Sequence, residues 1–431
     1  LQRILGNISQ DSMKLFLNFA VMAMLWITVS AGLAQAPPAP AGGAITLEQA
    51  LQIARTRNPL LASGQAHVAA TRAAEQTARL RVNPNFTLSG SQINLPANNP
   101  SNPYGYVGNF SRLFERGDKR RWRMETAQAT TALTQSQFAD TERQTVFNVK
   151  TSFTQMLAAK AALLVTEENL KSYRQTIDLD AARLAAGDIS VTDHERVDLQ
   201  MAQFESDNET AKLNLLQASA SLQQLLGADR LDAKFDVVGT LDPPVVQETV
   251  ESLEQKGIAS RPDYIAALKQ IAVSDSQIHL ADSMRLADPT IGAEYERIGT
   301  YNGAGFQLGI PLRLFDRNQG ERERTRYEAQ SSRFAATAAK NQVIADVDQA
   351  WAGYESAVRI AQRYTGHYLG EADRVRGNIE FSYRHQGTTL LDYLSALQDY
   401  RQIHLDSLNA NAQVWLAVHR LSEAAATEVV P

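Results

Sequence analysis

Apolar residues run through the second half of the chain on alternating steps of three and four. Ile344, Val347, Trp351, Tyr354, Val358, Ala361, Tyr368, Ala372, Val375 and Ile379 keep the rhythm, with Thr365 the one polar interruption. This is a heptad seam, the pattern of helices that pack along their length. The first half carries a weaker copy in Val146, Val149, Phe153, Met156, Leu163, Leu170 and Ile177, interrupted by Lys160, Glu167 and Arg174. Leu390, Leu394, Leu397, Leu408, Trp415 and Val418 mark a returning helix. The pattern predicts two very long helical stretches, Gly117–Ala186 and Gly320–Gln386. The first would span about 105 Å, far deeper than a globular core. Each breaks at a glycine, Gly187 or Gly387, followed by a helix to about Leu226 or Ser422. Glycine there permits the left-handed residue that closes a helix end. The stripes fix shape and carry no chemistry of their own.

A second periodicity, of two, appears in four places. Phe86 and Leu88 alternate with Thr87 and Ser89, and Tyr104, Tyr106, Gly108 and Phe110 with Gly105, Val107, Asn109 and Ser111. Ile291, Ala293 and Tyr295 alternate with Gly292, Glu294 and Glu296, and Phe306, Leu308, Ile310 and Leu312 with Gln307, Gly309, Pro311 and Arg313. One apolar and one polar face suits a transmembrane β-strand or any half-buried antiparallel sheet. Four strands cannot close a membrane barrel alone. Because open edges are excluded from lipid, a membrane reading requires several chains to share the barrel.

The two halves correspond in order. Asn83-Pro84 matches Asp288-Pro289, Leu113-Phe-Glu-Arg116 matches Leu314-Phe-Asp-Arg317, and Gly187 with Asp193 matches Gly387 with Asp392. The spacing is roughly 200 residues, the mark of an internal repeat. Each half opens with a helix, Leu47–Arg81 or Val250–Leu286, ahead of its strand pair. The boundaries expected are repeats over 45–228 and 250–424, a linker over 229–249 and a tail over 425–431. Ahead of them, 37–44 is a Pro/Ala/Gly linker and 1–36 holds upstream residues and a secretory signal. Met13-Lys14, the apolar run Leu15–Val29 and the small residues to Ala36 follow the order of such a signal, with residues 1–12 upstream of the start at Met13. A membrane anchor is the competing reading of that run.

Composition narrows the chemistry. The 431 residues carry a formal net charge of −5, against a nucleic-acid surface. There is no cysteine, which removes disulfides, thiolate metal sites and a lipidated N-terminal cysteine. The 7 histidines are dispersed. None makes the helical pair with a glutamate that a zinc hydrolase needs, and no phosphate loop, nucleophile elbow or dinucleotide fingerprint occurs. His194 and His385 lie near the helix reversals, where solvent exposure is the simpler reading. Neither a cofactor nor a bound metal is expected, and no enzyme site is assembled.

Two strands and two very long helices, repeated behind a secretion signal, resemble the TolC family of outer-membrane factors, over about Ile45 to Glu423. Gly309-Ile-Pro-Leu-Arg-Leu-Phe-Asp-Arg-Asn-Gln-Gly320 resembles the strand-to-helix joint of the branch serving heavy-metal efflux pumps of the cobalt–zinc–cadmium type. The joint also reads physically. Pro311 ends ladder pairing, Asp316 and Asn318 suit a helix N-cap, and Gly320 lets the chain turn. The resemblance implies a mainly α fold with a small β part. A homotrimer would form a 12-stranded transmembrane β-barrel, four strands per protomer, continuous with an α-barrel of coiled-coil hairpins. It implies an outer-membrane location, with lipid around the barrel and a large periplasmic extension. The partners implied are a periplasmic adaptor and an inner-membrane RND-type pump, and the activity is passive export. Organic compounds or a secreted polypeptide are alternative cargoes, and a periplasmic coiled-coil scaffold without a pore is the alternative of another class.

By the same resemblance, Gly387-Thr388-Thr389-Leu390-Leu391-Asp392 matches a turn whose acid lines the closed periplasmic entrance, with one residue fewer. Asp392 is the implied gate, Asp193 its counterpart in the first half, and Ser395 stands where the family has a second acid. The competing role for either aspartate is that of a helix-start acid. The adaptor-contact tips implied are Arg183, Leu184, Gly187, Tyr383, Arg384 and Gly387.

Overall fold

The computed structural model describes residues 43–91, 105–385 and 387–430. The secretory-signal reading, Tyr104 and Gln386 lie outside the described residues. The elements run α1 Leu47–Arg57, α2 Pro59–Arg79, β1 Asn85–Ser91, β2 Gly105–Leu113, α3 Lys119–Ala186 and α4 Val191–Leu225. They continue with α5 Val250–Ser260, α6 Pro262–Ser283, β3 Thr290–Ile298, β4 Tyr301–Gly309 and α7 Gln319–Arg363. A π-helical turn, Tyr364–Tyr368, joins α7 to α8 Leu369–Arg384, and α9 Leu390–Ala425 follows.

The opening helix expected in each half is two helices. Asn58 breaks the first: its Oδ1 accepts from the N–H groups of Leu60 and Leu61, while Pro59 takes the first helical position. Proline fits there because that N–H has no helical partner. Asn58 Nδ2 also donates to Leu225 O at 2.8 Å, tying the break to the end of α4. Arg261 holds the corresponding break before Pro262, and its Nη1 reaches Ala424 O near the end of α9 at 3.4 Å.

Helix α3 has 68 residues, about 100 Å at 1.5 Å per residue. It packs on α2, α4, α6 and α9 in turn, so no single apolar stripe serves all its neighbours. Threonines go inside because each hydroxyl finds a carbonyl one turn back, as Thr134 does at Thr130 O and Thr145 at Thr141 O. Of the expected first seam, Val149, Phe153 and Met156 are buried. In the second, Val347, Tyr354, Ala361 and Ala372 are buried, with Trp351 and Val358 packed alongside. Tyr368 and Val375 are exposed, against expectation. Tyr368 lies within the π turn between Arg363 and Leu369, which shifts the helical phase; past it Ala372 stays buried while Val375 faces outward.

The strands form one antiparallel sheet in the order β1-β2-β3-β4, leaving β1 and β4 as its edges. Directly opposite residues share a face. Phe86 opposes Phe110, Phe110 opposes Ala293, and Ala293 opposes Phe306. Leu88, Tyr295, Ile291 and Leu308 lie on that same face, which is exposed and largely apolar, with Arg112 opposite Ile291 and Arg297 opposite Tyr106. The other face carries Thr87, Ser89, Asn109, Glu294, Glu296 and Gln307, and Asn109 donates to both Glu294 and Gln307. Strand β4 stops at Gly309, so Ile310 and Leu312 lie beyond the ladder that the alternation suggested, with Pro311 between them.

Candidate functional site

Both long hairpins reverse through a short turn, and the turns are built alike. After α3, Gly187 takes φ +79°, and its N–H and that of Asp188 close on the carbonyls of Leu184 and Arg183. Ser190 then caps α4: its Oγ accepts from Asp193 N at 3.1 Å and donates to Asp193 Oδ2 at 2.8 Å. After α8, Gly387 N donates to Ser382 O at 2.7 Å. Thr389 caps α9, accepting from Asp392 N at 3.2 Å and donating to Asp392 Oδ2 at 2.7 Å, with Thr388 Oγ1 at 3.4 Å. Asp392 and Asp193 thus hold the same helix-start position. Asp392 is fully exposed, and the Thr389 hydroxyl holds its carboxyl below the ordinary aspartate range. It is an ionised acid presented at the outside of a turn.

A polar cluster behind these turns locks the two hairpins together. Asp180 of α3, with 0% exposure, accepts from the Tyr383 hydroxyl at 3.1 Å on each carboxylate oxygen. Tyr383 stacks on Tyr393 with ring centres 4.5 Å apart, and Tyr393 OH lies 3.0 Å from Thr176 Oγ1. Arg183 covers the Tyr383 ring, with its guanidinium 3.9 Å from Asp180. Burial pushes the Asp180 carboxyl up, opposed by the Tyr383 hydrogen bond and by Arg183. Tyr173 donates to Val197 O and stacks on Phe204 one turn further back.

The expected tip residues divide. Gly187, Arg384 and Gly387 are exposed, Arg183 and Leu184 are half-buried, and Tyr383 is buried. Tyr383 therefore departs from the role of an exposed contact, because its ring and hydroxyl are committed to Tyr393 and Asp180. The cluster itself was missed in the sequence. Its signal is there: Leu170, Tyr173, Ile177, Asp180 and Leu184 keep the three-four step, which sets a carboxylate in an apolar seam. A seam acid demands a buried donor. His385 Nδ1 meets Phe381 O at 2.8 Å, a local bond within its own turn.

The strand-to-helix joint also differs from expectation. Asn318 sits at the N-cap of α7, yet its side chain makes no cap; it takes φ +60° and donates to Ala281 O at 2.8 Å. Asp316 caps Asn318 N instead, at 2.9 Å. The chain therefore turns at Asn318, and Gly320 lies inside the first helical turn with open space at its Cα. The joint of the first half is closed against the second. Phe114 N donates to Pro289 O, Arg116 N to Asp288 Oδ1, and the buried Lys119 pairs with Asp288 at 2.7 Å. Among the described residues no group of three or more His, Cys, Asp or Glu side chains is placed to hold a metal ion. Nor is any helix there long and apolar enough to cross a membrane.

A mainly helical chain with very long antiparallel hairpins and one four-stranded sheet is the fold of the outer-membrane channels. The structure superposes on that of CusC with a TM-score of 0.75 at 18% identity, covering 88% of this chain and 91% of that one. It superposes on the Campylobacter jejuni outer membrane channel CmeC with a TM-score of 0.76 at 13% identity, covering 89% and 87%. Residues 50–228 match the family described as outer membrane efflux protein. A curated relative, the cobalt-zinc-cadmium resistance protein CzcC of Cupriavidus metallidurans, is 26% identical over 297 residues, 66% of either chain and so just under two thirds of its length. Over residues 50–228 the chain is similar to the outer membrane efflux protein family, and its fold is that of these channels.

Proposed function

We propose that this chain is the outer-membrane exit duct of a tripartite efflux system, working as a passive homotrimer. The carrying observation is the sheet: an exposed apolar face, an opposite polar face and two open edges. In lipid an apolar face belongs outside, and edges must be paired. Three copies of a sheet of four strands make a barrel of 12, lined by Asn109, Glu294, Glu296 and Gln307. The long hairpins, built from two structural repeats over 45–228 and 250–424, continue the barrel as a helical tunnel into the periplasm. The turns at Gly187 and Gly387 form its far end, where Arg183, Leu184, Gly187, Arg384 and Gly387 meet a periplasmic adaptor that links the duct to an inner-membrane RND-type pump. Energy comes from the pump, since nothing in a capped hairpin hydrolyses or oxidises anything.

Heavy-metal cations are the proposed cargo, on the likeness to the cobalt–zinc–cadmium resistance protein. One Asp392 from each copy forms an acidic ring at the mouth, with Asp193 set back from it. Three ionised carboxylates near an axis repel one another, so the ring draws a counter-cation. Planar-bilayer recording tests this with the detergent-extracted trimer. Cation-selective currents from the wild type, with larger currents and weaker selectivity in Asp392→Ala, are expected. Equal behaviour of the two would remove Asp392 as the gate; verified trimers that never conduct would overturn the duct.

A further inference from the structure

Resting on the membrane reading of the sheet, we propose that the cavity at the first strand-to-helix joint binds the phosphodiester headgroup of an anionic lipid of the periplasmic leaflet. Arg81, Arg112 and Arg121 hold the phosphate, and Phe114 and Met124 lie against the hydrocarbon that the phosphate carries.

The cavity has a volume of about 670 Å³ and lies between the lead into β1, the end of β2 and the start of α3. Its cations are Arg81, Arg112, Lys119, Arg120 and Arg121, and its acids are Glu115 and Asp118. Lys119 is paired with Asp288, and Glu115 with Arg123. Arg120 Nε donates to Arg79 O at 2.7 Å, which leaves its charge uncompensated. Four arginines therefore face one carboxylate, Asp118, and none of the four forms an ion pair among the described residues. A cleft lined by one sign of charge concentrates the opposite ion. Two of the arginines are positioned by rings instead of acids. The Arg112 guanidinium lies 5.3 Å from the centre of the Phe114 ring, and that of Arg121 lies 5.0 Å from Trp122. Held this way, a guanidinium keeps its N–H fork for phosphate oxygens.

The place of the cavity selects the anion. Arg112 stands on the exposed apolar face of the sheet, opposite Ile291 and two residues from Phe110. From there the face carries no charge until Arg297, opposite Tyr106. Arg112 and Tyr106 are about 20 Å apart along the strand. An arginine thus closes each end of the apolar band, where its stem can stay on hydrocarbon while its head reaches the polar layer. Arg112 is at the end nearer the helices, so the cavity beside it opens at headgroup level on the periplasmic side. Val82 and Phe114 are exposed on its wall, which favours an anion attached to hydrocarbon over a free one.

Native mass spectrometry of the detergent-extracted full chain tests the assignment. The probes are dioleoyl phosphatidylglycerol, dioleoyl phosphatidylcholine and inorganic phosphate. Each is titrated into the wild type, the double variant Arg112→Gln with Arg121→Gln, and Arg359→Gln, an exposed arginine far along α7. Wild-type and Arg359→Gln trimers should hold phosphatidylglycerol in preference to phosphatidylcholine. The double variant should bind the first phosphatidylglycerol per copy about tenfold more weakly. If the double variant does not form trimers, Arg121→Glu, on an exposed side chain, carries the same comparison. Equal binding of the two lipids, or a wild-type preference in the variants, overturns the site and makes the groove a contact between copies. Inorganic phosphate that displaces phosphatidylglycerol at equal concentration overturns the lipid assignment in favour of a free anion. Either failure in trimers that insert into phosphatidylcholine liposomes leaves the membrane reading standing. Protein that stays monomeric in detergent and does not insert overturns that reading, and the site with it.

Discussion

Two buried residues show how the helical part handles polar groups. Asp180 has 0% exposure and depends on the Tyr383 hydroxyl, so Tyr383→Phe leaves a buried carboxylate short of its donor. A loss of that kind costs about 1–3 kcal/mol. It should loosen α3 from α8 and speed hydrogen exchange of amides 176–186 while leaving the strands unchanged. Unaltered protection would mean that Tyr383 holds the tips by stacking alone. Burial raises the Asp180 carboxyl, so the folded tip holds its proton more tightly than the open one. Its stability therefore falls as pH rises from the ordinary aspartate range through that raised value. His419 behaves in the opposite sense. Burial, and then Lys150, lower its pKa from 6.5 to about 4, with Thr154 Oγ1 at 2.9 Å. The unfolded chain takes up a proton first, so stability present above pH 6.5 is lost as pH falls towards about 4. At about 1.4 kcal/mol per pH unit the loss reaches up to about 3 kcal/mol per copy. His419→Gln should flatten the pH dependence of thermal unfolding in that window; a wild-type slope in the variant would contradict the assignment.

At the scale of elements, the breaks in the opening helices do more than end a helix. Arg261 is buried, with its guanidinium on Asp263 and Asp346 and reaching the carbonyl of Ala424, and so joins α5, α6, α7 and α9. Removing one partner of such a group leaves opposite charge unpaired, which costs about 3–5 kcal/mol. Arg261→Ala should lower thermal stability by that order. Asn58→Ala, which loses a neutral cap and one bond to Leu225, should cost about 2 kcal/mol. Equal losses in chemical unfolding would remove the distinction. These residues also mark what was legible in the sequence. Proline after Asn58 and after Arg261 was visible, but the helical period continues across both, and only the cap geometry shows the break. The reversal at Gly187 was readable because its φ of +79° favours glycine. The turn at Asn318 was misplaced to Gly320 because asparagine also tolerates that conformation. The π turn at Tyr364–Tyr368 announced itself only as Thr365 in an apolar seam. Asp180 lay in the seam and went unread because its partner, Tyr383, is 203 residues away.

For the whole molecule the question is which solvent each surface meets. Phe306 is 91% exposed, and on the same sheet face Phe86, Leu88, Tyr295 and Leu308 are all more than half exposed. A water-soluble monomer rarely shows such a contiguous patch. Gln307, its neighbour, points to the opposite face with Glu294 and Asn109. Two substitutions one residue apart therefore separate the readings of the sheet. If the apolar face meets lipid, Phe306→Arg places a charge in hydrocarbon and costs about 2–4 kcal/mol per copy near the midplane. It should reduce membrane insertion and the heat resistance of the trimer. Gln307→Arg puts the same charge into the water-filled lumen, where it should spare assembly and lower cation conductance by electrostatic repulsion. The contrast carries the argument, because both variants add one arginine to the same strand. If both impair assembly equally, the sheet is buried on two sides and no lumen runs past Gln307. If Phe306→Arg is harmless, the apolar face is not against lipid, and the sheet serves as an ordinary contact surface between proteins.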